Sequence, residues 1–150
     1  MPYIYDYPRP CVSCDTVVFD LSQDTGPEVL LVKRRNEPFK DMWAIPGGFL
    51  DIEEELEDSA VRELYEETGV NLYPQDLHQC LAVGRAMRDP RARIISVVYT
   101  AAINRTEHPI CAGDDAKEVA WFNMGELPTL AADHLSIIRH ILGEVYHDRS

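Results

Sequence analysis

The sequence predicts a mixed α/β domain, and three observations carry that expectation. Short β-branched runs recur along the chain, an acidic helix-forming segment interrupts them, and an amphipathic helical pattern closes the sequence. Val12 to Phe19 and Val29 to Lys33 read as strands separated by the turn cluster Ser22-Gln23-Asp24-Thr25-Gly26-Pro27. A helix is then expected from about Glu53 to Thr68, with Leu56, Ala60 and Leu64 at four-residue spacing and Val61 beside them. Leu77 to Met87 and Ile94 to Ile103 read as a second strand pair joined across Arg88-Asp89-Pro90, and Glu118 to Phe122 as a short strand. From about Ala131 to Val145 a second helix aligns Leu135, Ile138, Leu142 and Val145. Periodicity by itself leaves α+β and α/β both open. With no repeat or low-complexity segment, residues 1–150 are read as one domain with an extended arm at 1–10.

Composition narrows the class. A chain of 150 residues is long enough to bury a proper core. No apolar run approaches the ~18 residues that span a bilayer, and the opening MPYIYDYPRP does not have the pattern of a signal peptide, so a cytoplasmic protein is expected. The formal charge of −12 argues against polymeric nucleic acid as a partner, and the lack of a long apolar run against a membrane. It does not oppose a small phosphorylated substrate, because a bound divalent ion reverses the local sign. Cys11 and Cys14 form a C-x-x-C, but Cys80 and Cys111 stand alone and complete no zinc pattern, so all four are read as structural.

The densest chemistry lies between Gly48 and Val70, in GFLDIEEELEDSAVRELYEETGV. Glu63, Glu66 and Glu67 stand at i, i+3 and i+4, which gathers their carboxylates on one flank of the expected helix. Like charges at these spacings destabilise a helix by roughly 0.2–0.5 kcal/mol per pair. A fold that keeps three together is expected to offset the repulsion with a cation, and clustered oxygen donors suit Mg²⁺ or Mn²⁺. Arg62, four residues before Glu66, is placed to pair with it, and Gly69 is placed to end the helix. A merely solvated acidic face needs neither that arginine nor the preceding Pro46-Gly47-Gly48 turn.

Set out by spacing, the segment is Gly48, five residues, Glu54, seven residues, Arg62-Glu63-Leu64, one residue, Glu66-Glu67, one residue, Gly69-Val70. This fills every specified position of the Nudix box, G-x5-E-x7-R-E-U-x-E-E-x-G-U, and the chain resembles a Nudix hydrolase, a class that splits pyrophosphates. The resemblance implies an α/β/α sandwich with a mixed sheet, the box loop and helix, and a C-terminal helix. It implies that Glu66 and Glu67 are the principal metal ligands, helped by the carbonyl of Gly47 or Gly48. Glu63 is implied to bind or deprotonate the attacking water, and Arg62 to steady the cluster. A late carboxylate is expected to assist, with Asp115 preferred over Asp114 and Glu118. Glu54 is expected to support the loop rather than take part in the chemistry.

Outside the box, Lys33 to Phe39, Trp43 to Phe49, Arg88-Asp89-Pro90-Arg91, Ile94 to Tyr99 and Ala112 to Ala116 resemble the ADP-ribose pyrophosphatase-like branch. Ala92 departs from that branch's D-P-R-G-R, and Arg85 stands near a position where the classical ADP-ribose hydrolases carry proline. The expected reaction is hydrolysis of ADP-ribose to AMP and ribose 5-phosphate. The alternatives are a nucleoside triphosphate pyrophosphohydrolase and a non-catalytic nucleotide sensor. Some relatives are repressors with a DNA-binding domain after the Nudix part, for which this sequence is expected to have no room. Arg88, Arg91 and Arg93 in the second hairpin are candidates to hold a substrate phosphate, against a reading in which they pair with surplus carboxylates. Arg34 and Arg35 are further candidates, and alternation is expected to point one of them inward. Phe39 and Trp43 are read as core more than as base-stacking groups. Tyr3, Tyr5 and Tyr7 share a face of an extended arm that would meet a sheet edge or a second subunit, and a homodimer is expected; a frayed terminus is the alternative.

Overall fold

In a computed structural model the described residues, 2–113 and 116–146, form one mixed sheet with a helix on each face. The strands are β1 (Cys11–Asp20), β2 (Glu28–Arg34), β3 (Trp43–Ala44), β4 (Gly47–Phe49), β5 (His78–Val83), β6 (Ile94–Ala102) and β7 (Ala116–Asn123); the helices are α1 (Leu56–Thr68) and α2 (His134–Val145). The sheet runs β3-β2-β1-β6-β5, with β4 also pairing with β1 and β7 with β2. The β1–β6 pair is parallel and the others are antiparallel.

Alternation along the central strands builds two cores. Val17, Phe19, Val29 and Leu31 face α2, where Ile137, Ile138 and Ile141 meet them. Val18 and Leu30 face the other way and pack on Leu64 of α1 with Val70 and Leu72, while Cys14 meets Ala60. Because the side-chain period of a strand is two, β1 and β2 feed both layers, and the result is an α/β/α sandwich.

Several expected boundaries move. Helix α1 begins at Leu56 rather than Glu53, because Glu54 is drawn into the preceding turn: its N–H meets the Asp51 carbonyl at 3.1 Å and its carboxylate meets Arg62 at 2.7 and 2.9 Å. Strand β5 stops at Val83 rather than Met87, ahead of Gly84 and a turn closed by the Arg88 N–H on the Arg85 carbonyl. Helix α2 starts at His134 rather than Ala131, because Ala132 has a left-handed φ of 46°. Its buried stripe is Ile137, Ile138 and Ile141; Leu135 and Leu142 are half-buried and Val145 is exposed, so the expected stripe is rotated. The short strands β3 and β4 were not expected. Gly69 ends α1 as expected, at φ 80° with its N–H on the Tyr65 carbonyl.

The four cysteines are free, and Cys14 alone is fully buried. Trp43 packs edge-on against Phe122, ring centroids 4.7 Å apart, in the α2-side core. The arm at 2–10 is exposed and outside the sheet; Tyr3 stacks on Tyr5, and the Arg9 guanidinium lies over the rings of Tyr5 and Tyr7. No helix among the described residues is long and apolar enough to cross a membrane.

Candidate active site

The site begins with two glycines. In β4, Gly47 pairs opposite Asp15 and Gly48 opposite Cys14 on β1, so the Pro-Gly-Gly turn lies flat on the central strand. A Cβ on Gly47 would sit 1.9 Å from Asp15 Oδ1, and one on Gly48 2.4 Å from the carboxylate carbon of Glu63. Neither position admits a side chain without displacing an acidic group. The Gly47 N–H donates to Glu67 Oε2 at 2.8 Å, tying α1 to the turn.

Arg62 organises the other carboxylates. It donates to both oxygens of Glu54, to Glu63 at 2.9 Å and to Glu66 at 3.2 Å, with Asp51 3.8 Å away. Its hydrogen bonds with Glu54 hold the Glu54 carboxyl below the usual carboxylate range and push the guanidinium up. Thus Glu54 braces the arginine that braces the cluster. At the far end of α1, the Cys111 N–H meets the Thr68 carbonyl at 2.7 Å and the Gly113 N–H meets that of Glu67 at 3.2 Å. A Cβ on Gly113 would lie 1.7 Å from the Glu66 carbonyl oxygen, so this late loop is held against the carboxylate helix. Asp114 and Asp115 lie outside the described residues, and Glu118 is on β7, 3.3 Å from Lys33.

The donor set is carboxylate and carbonyl oxygen, which suits a hard divalent ion, and the missing Cβ at Gly48 leaves a notch for the Glu63 carboxylate. Here Glu63 and Glu66 lean on Arg62, and among the described residues no three His, Cys, Asp or Glu groups converge on one point.

Glu67 stands at the edge of a cavity of about 380 Å³, which runs over β1 between the β2–β3 loop and the β5–β6 loop. Both Arg34 and Arg35 line it. The expectation that one would point inward fails because β2 ends at Arg34, with its register already shifted after Lys33, so alternation does not extend to Arg35. Arg34 Nε donates to the Pro38 carbonyl and Arg35 Nη2 to that of Ala116, and burial lowers the Arg34 pKa, reinforced by Arg91. Arg91 lines the opposite wall, bound to Asp89 at 2.8 and 3.0 Å and lying 5.4 Å from the Phe49 ring centroid. Arg88 reaches the cavity floor with its side chain 6% exposed, in a two-pronged pair with Asp133 at 2.8 and 2.9 Å. Arg93 is not brought to the cavity; it donates to the Gly84 carbonyl. Phe39 lines the cavity, whereas Trp43 does not.

Two cavity residues escaped the sequence analysis. Asp15 is 7% exposed, and burial pushes its carboxyl up to about 7 against the lowering influence of Ser96, Arg88 and Ser13. Its only signal was an acid set in an otherwise apolar strand. His134 is half-buried at the start of α2, where its Nδ1 accepts the Ile45 N–H at 3.0 Å, and desolvation of its ring depresses it to about 4. It gave no sequence signal, being the first residue of an amphipathic helix.

A mixed-sheet sandwich that sets a carboxylate helix beside a Pro-Gly-Gly turn defines a class, and the family comparison gives the same answer: the NUDIX domain profile matches residues 14–141, and the chain belongs to the Nudix family as a Nudix hydrolase of the ADP-ribose pyrophosphatase-like branch. It is 39% identical over 133 residues to the ADP-ribose pyrophosphatase of Methanocaldococcus jannaschii, covering 89% of this chain and 73% of that protein. It is 41% identical over 101 residues to the ADPR responsive transcriptional repressor NtrR of Acinetobacter baylyi, covering 66% of this chain but 39% of the repressor. The NUDIX domain of Shewanella oneidensis NrtR, solved in complex with ADP ribose, superposes with a TM-score of 0.80 at 33% identity and 90% coverage of each chain.

Proposed function

We propose that this chain hydrolyses the phosphoanhydride of ADP-ribose to AMP and ribose 5-phosphate, with Mg²⁺ or Mn²⁺ held by Glu63, Glu66, Glu67 and the Gly47 or Gly48 carbonyl. One observation carries the reading: the Gly47 N–H on Glu67 joins the carboxylate helix to a cavity rimmed by Arg34 and Arg35. Asp115 is proposed as the late-loop carboxylate that completes the donor set. When bound, the metal neutralises charge on the diphosphate and lowers the pKa of the attacking water. The protein's own groups do the rest. Arg34 and Arg35 hold the phosphate oxygens by guanidinium forks. Glu63 orients the water and takes its proton as the new P–O bond forms and the bridging P–O bond breaks. Arg62, fixed by Glu54, keeps Glu63 and Glu66 aligned.

The similarity to the pyrophosphatase and the ADP-ribose complex of the NrtR Nudix domain support this substrate. A second reading, that the chain senses the nucleotide without cleaving it, is favoured by the repressor relative. A substrate panel decides between them: ADP-ribose, other nucleoside diphosphate sugars, dinucleotides and nucleoside triphosphates, each with Mg²⁺ and Mn²⁺. The enzyme reading expects ADP-ribose to be cleaved fastest. Preferential release of pyrophosphate from a triphosphate overturns the substrate, and binding without turnover of any member supports the sensor. We further propose a homodimer joined through the exposed tyrosine arm, which light scattering of the chain with and without residues 2–10 would test.

A further inference from the structure

We propose that Asp15, with Ser13 and Ser96, forms a hydroxyl-binding floor that accepts the terminal sugar of the substrate and rejects a third phosphate. This rests on the ADP-ribose reading above and names a specificity device within that site. The three side chains stand on neighbouring registers of β1 and β6 and line the cavity directly below the Gly47 turn.

The hydrogen bonds on this floor have one direction. Arg88 Nη1 can only donate, and it donates to Ser96 Oγ at 2.8 Å. Ser13 Oγ donates to Asp15 Oδ2 at 3.3 Å and shares a 2.6 Å contact with Ser96 Oγ, and the Ser96 hydroxyl also reaches the Asp15 carboxyl. The network therefore begins at Arg88, which can only donate, passes through the two serine hydroxyls, and ends on the accepting oxygens of Asp15. Oδ1 of that carboxylate fills the space where a residue 47 side chain would sit, at the cavity wall. The floor therefore offers an acceptor.

A purely structural anchor for Arg88 would not require Asp15. Asp133 already takes two of the Arg88 nitrogens, and among the described residues Asp15 forms no ion pair with it. Burying a carboxyl without a direct counter-ion costs stability, and in a cleft that cost marks a functional group. Charge then selects the ligand. Arg88 and Asp133 cancel, so the floor offers no free cation, whereas Arg34 and Arg35 on the rim bond to carbonyls and enter no ion pair among the described residues. Phosphates belong at the rim beside Glu67. A sugar bearing adjacent hydroxyls suits the floor, because each O–H can donate to a carboxyl oxygen, while a third phosphate placed there would meet an acidic group and no free cation.

The test is calorimetric binding of ADP-ribose and of ATP, in EDTA so that neither is cleaved, to the wild type, Asp15→Ala and Asp15→Asn. Hydrogen bonds to a charged group are worth roughly ten- to a hundredfold in affinity. ADP-ribose is expected to weaken by about tenfold or more in Asp15→Ala while ATP holds or tightens; this opposite movement is one that a merely structural role would not produce. Asp15→Asn keeps the shape, carries the test if the alanine variant does not fold, and is expected to move both ligands in the same directions. Parallel loss of both ligands, or no change in either, overturns the assignment and leaves the ADP-ribose reading intact. A wild type that binds ATP but not ADP-ribose overturns both.

Discussion

Replacing Gly48 by alanine should separate catalysis from folding. The new Cβ would lie 2.4 Å from the Glu63 carboxylate carbon and 2.5 and 2.6 Å from its oxygens, where ordinary contact begins near 3.4 Å. The carboxylate must retreat by about 1 Å, the difference between 3.4 and 2.4. A displacement of that size at a reacting group costs on the order of a hundredfold in turnover. The atoms in the way are the far end of a flexible side chain, so the fold loses only about 0.5–1.5 kcal/mol of rotamer strain. We expect kcat on ADP-ribose with Mg²⁺ to fall by about a hundredfold, KM to change by less than about threefold, and Tm to drop by a few degrees. Gly47→Ala is the contrast. Its Cβ would meet the Asp15 backbone Cα at 2.8 Å as well as Oδ1, so β4 must part from β1 and the variant should lose roughly 3 kcal/mol of stability. A Gly48→Ala enzyme within about threefold of wild-type kcat would refute the role given to Glu63.

Two further predictions concern buried charge. Arg88→Met leaves the Asp133 carboxylate without its partner in a mostly buried position, and urea unfolding should show a loss of about 3 kcal/mol. His134 is depressed from its ordinary 6.5 to about 4 in the folded state, so the unfolded chain binds the proton first and stability falls as pH drops from about 6.5 toward 4. The full window is worth up to about 3 kcal/mol. Asp15 works in the opposite sense, because its raised pKa makes the folded state bind the proton first and adds stability as pH falls below about 7. The comparison that isolates the histidine is therefore wild type against His134→Asn across pH 4 to 7. The difference in unfolding free energy should shift by at least about 1 kcal/mol, and a pH-independent difference would contradict it.

The parts of this site that could be read from the sequence were those held by local spacing. The Arg62–Glu66 pair and the Gly69 helix end follow from helix geometry, and both stand where the spacing put them. The arginines show the limit. Arg88, Arg91 and Arg93 stand close together in sequence, yet one is spent on Asp133, one on Asp89 and one on the Gly84 carbonyl, partners that no local pattern names. Arg35 reached the cavity because β2 ended one residue before it. Asp15 was invisible for a related reason: its meaning comes from Gly47 and Ser96, which reach it through strand pairing across long stretches of chain. Strands β3 and β4, at two and three residues, are too short for periodicity to register and exist because β2 and β1 hold them.

In the proposed reaction the carboxylates of α1, acting with a divalent ion, split ADP-ribose. The most direct measurement is chromatographic identification of the products from ADP-ribose and Mg²⁺, for the wild type and Glu67→Gln, with and without EDTA. Glutamine keeps an oxygen to accept the Gly47 N–H, so the variant should fold with unchanged or raised Tm in the absence of metal. The wild type should give equal amounts of AMP and ribose 5-phosphate, and none in EDTA, and Glu67→Gln should be slower by at least about a hundredfold. Intact ADP-ribose from the wild type, or near-wild-type turnover by Glu67→Gln, would contradict it.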